Sequence, residues 1–230
     1  MPQLYVVKRG DTLRKIAKSQ LGEAGLFRRI ADFNGLRDPG KITVGQRIEI
    51  PSRRDLAPPP PAPAAPASEI APPHGLEAIV ATFGDIYAYL SNEGTLDPRW
   101  ESDQLARAAI PFPIPLSWDP AKQVRNIYCH KKLVAVLPSV FEDIDRKGLR
   151  DRMRTYGGCF NFRGKRTSNK LSVHSWGIAI DLNPETNGMG AAGDMPPEIV
   201  AVFESFGFTW GGRWPGRSKD PMHFQYCSGY

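Results

Sequence analysis

The sequence predicts two folded units of α+β character joined by a proline-rich spacer. Three observations carry this reading. The first fifty residues spell a strand, two helices and a strand. Residues 57–73, APPPPAPAAPASEIAPP, favour extended polyproline conformation and cannot bury a core. Near the other end, Gly177–Leu182 and Met222–Tyr226 alternate with the period of strands and carry aspartate and histidine. The expected division is 1–52 for the small unit, 53–73 for the spacer and 74–230 for the large unit.

Within the small unit, Tyr5-Val6-Val7 predicts a short strand. Gly10-Asp11-Thr12 predicts a turn, with Asp11 or Thr12 capping the helix that follows. Leu13, Ile16 and Ala17 recur at helical spacing, and Leu26, Phe27, Ile30 and Phe33 form a second helical stripe. Asn34-Gly35 stops that helix, because both residues tolerate the left-handed conformation. Ile42, Val44, Ile48 and Ile50 alternate as a closing strand, interrupted by Gly45-Gln46 and ended by Pro51. The order is βααβ.

In the large unit, Leu76, Ile79, Val80, Phe83, Ile86, Tyr87 and Leu90 predict one amphipathic helix. Residues 110–120, IPFPIPLSWDP, alternate proline with apolar groups and predict an extended packed connector. Val134 to Ile144 predict a second helix with Pro138 near its start or at a kink. Residues 195–206 predict a third, opened by Pro196-Pro197 and stopped by Gly207. The remaining strands make a small antiparallel sheet with these helices flanking it.

Composition sets broad limits. Hydrophobic residues at 41% and charged residues at 23% permit a packed core. A formal net charge of +6 favours anionic partners. The basic residues are scattered, so nucleic acid is not an expected partner. No window approaches the run of about 20 apolar residues that a membrane helix needs, so no membrane insertion is expected. The opening MPQLYVVKRGDTL lacks a basic region followed by an apolar stretch, so no standard secretory signal is expected. Cys129, Cys159 and Cys227 are odd in number and lack a C-x-x-C pair, which predicts buried thiols, with a Cys159–Cys227 bridge left open.

The chemistry sits in the two alternating segments. Ile178, Ile180 and Leu182 share one face, and Gly177, Ala179 and Asp181 the other, so small residues leave room before a carboxylate. Met222, Phe224 and Tyr226 oppose His223 and Gln225 in the same way. His174 precedes the first strand in a serine-bearing turn. If the strands are neighbours, His174, Asp181 and His223 meet as two nitrogens and one oxygen, a donor set for zinc with its fourth position open. From spacing alone, a metal site and a hydrogen-bonded polar cluster both remain open. His74 and His130 are read as non-ligands. Asp220 lies three residues before His223 and is a candidate base, or a plain turn residue before Pro221.

Two resemblances sharpen the expectations. Tyr5–Leu13 and Ile42–Pro51 resemble the two ends of a LysM domain, over residues 4–51. The family binds N-acetylglucosamine-containing glycans, which places a glycan site at Gly10, Asp11 and Thr12 and near Asn34 and Ile42. A protein-assembly role, as in phage tails, is the alternative for such a unit. Ser172-x-His174-x-x-Gly177-x-Ala179-x-Asp181 followed by Asp220-x-x-His223-Phe224 resembles the zinc D-alanyl-D-alanine carboxypeptidase family, over residues 156–226. That family includes VanY-like carboxypeptidases and phage L-alanyl-D-glutamate endopeptidases. The resemblance implies one zinc ion held by His174, Asp181 and His223, with Asp220 as catalytic base. It implies a substrate-holding arginine, either Arg163 or Arg166, with Arg163 favoured for following Phe-Asn-Phe. Ser172, Trp176 and Trp214 are further candidates for contacting substrate.

Together these features lead to the expectation of a monomeric peptidoglycan hydrolase acting on stem peptides. Its first expected bond is L-alanyl–D-glutamate, as in an antimicrobial endolysin, released through a holin or a specialised secretion route. Removal of a terminal D-alanine is the alternative activity. A tail or spike component that grips the wall without catalysis is the alternative from another class.

Overall fold

The computed structural model describes residues 3–36, 38–52, 70–166 and 168–230. The chain divides into two compact units, residues 1–62 and 63–230. The Pro/Ala tract from 57 to 69 lies outside the described residues.

In the first unit, β1 (Gln3–Val6) pairs antiparallel with β2 (Arg47–Ile50), from Gln3 opposite Ile50 to Val6 opposite Arg47. Helix α1 (Leu13–Leu21) starts at Thr12, whose hydroxyl accepts the Lys15 amide at 3.2 Å. It ends at Gly22, where a φ of +85° suits glycine. Helix α2 (Phe27–Phe33) follows a single 3-10 turn. Leu13, Ile16, Ala17, Ile30, Ile48 and Ile50 form the core. Two expectations need correction. The closing strand begins at Arg47, not Ile42, because Gly45 turns the chain at φ +88° and leaves Val44 exposed. Phe33 faces solvent and is not part of the buried stripe.

The second unit is built on a six-stranded sheet of order β4-β3-β5-β6-β8-β7. The strands are β3 (Leu105–Leu116), β4 (Asp119–His130), β5 (Tyr156–Gly158), β6 (Ala179–Leu182), β7 (Thr209–Trp210) and β8 (His223–Gln225). The α+β class is as expected. The sheet is larger than the small antiparallel one predicted, and it is mixed, since β3 runs parallel to β5. The predicted connector at 110–120 belongs instead to a long β3–β4 hairpin. Pro111 and Pro113 fall where the β3–β4 ladder is interrupted, between Ala109 and Ile114, so their missing N–H groups cost no cross-strand bond there. Ala108, Ile110, Phe112 and Ile114 point inward in strict alternation.

Helices Val136–Arg146 and Pro197–Ser205 cover one face of this sheet. Phe141 meets Phe112 of β3 at 5.9 Å between ring centroids, and Phe203 stacks on Phe224 of β8 at 4.3 Å. Deleting such a ring costs about 3–5 kcal/mol. The predicted helix at 76–90 ends early, at Phe83, because Gly84 adopts φ +94° and a 3-10 turn follows. Cys129, Cys159 and Cys227 are buried free thiols, so the Cys159–Cys227 bridge is absent.

Candidate metal centre

Two paired strands and one tight turn bring the candidate ligands together. Asp181 on β6 stands directly opposite His223 on β8. Phe224 points to the helices, so strand alternation turns His223 and its partner Asp181 to the other face. His174 comes from the 3-10 turn Val173–Trp176, which Ser172 caps by accepting the His174 amide. Gly177 closes that turn at φ +67°. A Cβ there would lie 2.8 Å from the His130 amide nitrogen, so only glycine lets the turn dock on the end of β4. The His130 N–H donates to the Gly177 carbonyl at 2.9 Å.

The donor atoms form a small buried triangle. His174 Nε2 lies 3.1 Å from His223 Nδ1 and 3.3 Å from Asp181 Oδ1, and His223 Nδ1 lies 3.0 Å from the same oxygen. Donors bound at about 2.0–2.1 Å to a tetrahedral ion are about 3.3 Å apart, so the triangle has the size of one tetrahedral face.

The surroundings fix the imidazole tautomers. His174 Nδ1 is 2.6 Å from the Cys159 carbonyl, an acceptor, so Nδ1 carries the hydrogen and Nε2 offers its lone pair inward. His223 Nε2 is 3.0 Å from Gln225 Oε1, while Gln225 Nε2 donates to the Cys227 carbonyl at 3.2 Å. His223 Nδ1 therefore also offers a lone pair. Two lone pairs and a carboxylate oxygen converge with no hydrogen between them, an arrangement that calls for a cation. Burial opposes ionisation of Asp181, but His174 and His223 outweigh it and hold its pKa below the usual carboxylate range. Burial likewise opposes charge on His223, and Asp181 overcomes this and raises its pKa. The cluster attracts positive charge, and its nitrogen and oxygen donors fit zinc.

Asp220 stands in the turn before β8. Its amide donates to the Gly211 carbonyl at 2.9 Å, and its carbonyl accepts the His223 amide at 3.1 Å. A Cβ on Gly211 would come within 2.7 Å of the Asp220 carbonyl oxygen, so this approach also needs glycine. The carboxyl group is buried, and its Oδ1 has no hydrogen-bond partner among the described residues. Burial pushes its pKa up to about 6.

Two cavities reach the triangle. One, of about 340 Å³, is lined by His223, Asp220, Trp214 and the cations Arg163, Lys165 and Arg166. The other, of about 270 Å³, is lined by His174, Asp181, Phe160, Asn161 and Trp118. Arg163 lines both, whereas the exposed Arg166 lines only the first. Ser172 lines the first cavity as well as capping the turn. Trp214 lies 5.4 Å from the His223 ring. Trp176 does not fit the expected substrate contact. It is fully buried and its indole N–H donates to the Gly84 carbonyl at 3.0 Å, so it serves the core.

Of the predicted glycan contacts, three polar side chains already serve the first unit. Asp11 accepts from the Tyr5 hydroxyl and the Lys8 amide. Thr12 caps α1. Asn34 donates to the Ile30 and Glu49 carbonyls and accepts the Glu49 amide, fastening α2 to β2. Gly10 is exposed, and Ile42 packs partly against the core. A cavity of about 390 Å³ in this unit is lined instead by Gln3, Gln20, Leu21, Gly22, Ile50, Pro51 and Ser52.

Sequence reasoning missed Gln225, although it shares a strand face with His223 two residues away. It also missed the Cys159 carbonyl, which no side-chain pattern announces, and Trp118, which was absorbed into the supposed connector.

Comparison with known proteins matches residues 5–51 to the LysM domain and residues 165–226 to the family described as D-alanyl-D-alanine carboxypeptidase. The chain carries both modules. An uncharacterized protein of Deinococcus radiodurans is 40% identical over 48 residues, which is 21% of this chain and 19% of that protein. The Potassium binding protein Kbp of Escherichia coli is 45% identical over 51 residues, which is 21% of this chain and 34% of that protein. The chain thus spans about a fifth and a third of these relatives. No solved structure matches.

Proposed function

We propose that this chain is a zinc-dependent peptidoglycan hydrolase that cleaves the L-alanyl–D-glutamate bond of the stem peptide while its LysM domain holds the glycan. The observation that carries this reading is the convergence of three buried donor atoms, His174 Nε2, His223 Nδ1 and Asp181 Oδ1. These three residues would hold a zinc ion, which would supply a Lewis acid for the scissile carbonyl and for water. Asp220 takes the proton from the water that adds to the carbonyl carbon. It delivers that proton to the amide nitrogen as the C–N bond breaks. Arg163, at the meeting of both cavities, offers a fixed fork of donors to the developing oxyanion. The Cys159 carbonyl and Gln225 hold the imidazoles in the tautomers that this chemistry needs.

The cavities support this choice of bond. A cavity on each side of the triangle accommodates a peptide that continues in both directions, as an endopeptidase requires. Arg163, Lys165 and Arg166 around the first cavity suit an acidic residue such as D-glutamate. Removal of a terminal D-alanine is the second reading, supported by the description of the matched family. Tethering by the LysM domain raises the local concentration of substrate without altering the chemistry.

Metal analysis and mass spectrometry of digested muropeptides test the proposal. The expected result is one zinc per chain, fragments with a new N-terminal D-glutamate, and an Asp220→Ala variant slower by about 10²–10⁴-fold. A protein that binds no zinc, or an Asp220→Ala variant as fast as the parent, refutes it.

A further inference from the structure

An exposed tryptophan stands beside the metal centre. Trp118 shares the two-residue turn between β3 and β4 with Ser117, and it is 64% exposed. Such turns are served best by glycine or asparagine, and indole gains more than most side chains from leaving water. One exposed tryptophan needs no explanation by itself; its place on the wall of the cavity that holds His174 and Asp181 is what gives it a use.

The turn is tied down. The Ser117 amide donates to the Tyr156 carbonyl at 3.0 Å, and Leu116 pairs with Tyr156. Tyr156 opens β5, whose Gly158 pairs with Asp181. The hairpin tip is thereby fixed next to the strand that carries the carboxylate ligand. The Trp118 ring lies 6.2 Å from that of Tyr156. Between the turn and the triangle, Gly157 and Gly158 present bare backbone, and a Cβ on Gly158 would meet nothing within 4 Å. Phe160 supplies a second aromatic wall, and Asn161 and Arg163 supply polar groups. Open backbone between aromatic walls, with a few polar groups, suits a sugar ring. Its C–H face lies on indole, and its hydroxyl and acetamide groups reach the polar side chains.

We infer that Trp118 is a specificity-determining residue that stacks on the sugar ring adjoining the scissile peptide. The inference rests on the peptidase reading above. In peptidoglycan the alanine of the L-alanyl–D-glutamate bond is joined through a lactyl group to N-acetylmuramic acid. The cations gather in the cavity of Asp220, which takes the glutamyl side. Trp118 and Phe160 wall the other, which takes the muramyl side.

All five tryptophans lie at or beyond position 100, so indole emission from the full chain reports only on the second unit. Titration with the disaccharide N-acetylglucosaminyl-N-acetylmuramic acid is expected to shift or quench that emission saturably, and Trp118→Ala to abolish the response. In kinetics, Trp118→Ala raises KM for a disaccharide-bearing stem peptide about five- to tenfold and leaves kcat unchanged. It leaves the sugar-free peptide unaffected, and Trp118→Phe restores most of the difference. Emission that does not respond in the parent protein overturns the inference, as does a Trp118→Ala variant that treats both peptides like the parent or slows both equally. If the zinc-loaded parent cleaves neither peptide, the peptidase reading falls, and the emission titration alone decides whether the sugar site stands.

Discussion

Lowering the pH from 7 to 5 should destabilise the second unit through His130. This imidazole is fully buried, edge-on to Phe83 at 4.9 Å. Its Nε2 donates to the Phe83 carbonyl at 3.0 Å, and its Nδ1 accepts the Lys132 amide at 3.2 Å. The neutral ring is therefore satisfied at both nitrogens. A second proton would displace the Lys132 amide and place a charge in the interior near Lys131 and Lys132. Burial, more than those two cations, pushes the pKa down to about 4. The unfolded chain has a value near 6.5, so between these limits the unfolded state binds more protons and stability falls as pH falls. The full difference is on the order of 3 kcal/mol, of which about 2 kcal/mol is lost between pH 7 and pH 5. Urea unfolding followed by tryptophan emission measures this in the unit concerned. His130→Gln keeps a donor toward Phe83 and removes the titration. Comparing the two proteins isolates His130 from the histidines of the metal centre. Wild type should lose about 2 kcal/mol more than the variant over this interval. Equal losses would refute the argument, and NMR titration of the His130 ring would give the folded pKa directly if the variant fails to fold.

Three further outcomes are expected. Gln225→Leu removes the acceptor that holds the His223 tautomer, so zinc affinity should fall about 10–100-fold in chelator competition, and unchanged affinity would remove Gln225 from the site. In the proposed mechanism Asp220 is the base, and burial raises its pKa to about 6, so kcat/KM should fall about tenfold per pH unit below 6, with zinc content checked at each pH. A limb near 4 would point to an ordinary carboxylate. Deleting residues 1–56 should weaken co-sedimentation with peptidoglycan yet spare cleavage of a soluble stem peptide, and unchanged sedimentation would count against glycan binding by the LysM domain.

The shared face of Asp181 and His223 was legible because strand alternation is a strong local rule, whereas their reading as metal ligands came from the family resemblance. Asp181 among small residues and His223 among large ones each declared a face, and pairing then set them opposite one another. The β3–β4 hairpin was not legible. Pro111, Pro113 and Pro115 read as strand breakers, and nothing local reveals that two of them fall in a gap of the ladder. The helix after His74 ran too long on paper because Ile86 and Tyr87 keep the apolar spacing past Gly84, whose backbone conformation only tertiary packing decides. The internal hydrogen bonds of the expected glycan side chains were hidden in the same way. Asp11 and Asn34 look available in a loop, but the Tyr5 hydroxyl engages Asp11, and Glu49 of β2 engages Asn34 from fifteen residues away.

The three buried cysteines bear on where such a protein works. Burial pushes Cys129 and Cys227 up to about 12 and raises Cys159 as well. A thiol at that value is ionised in only about one molecule in 10⁵ at neutral pH, so it neither attacks disulfides nor competes for zinc. Cys159 touches the chemistry only through its carbonyl, which oxidants do not alter. The candidate ligand set of His174, Asp181 and His223 is thus built without any thiol side chain.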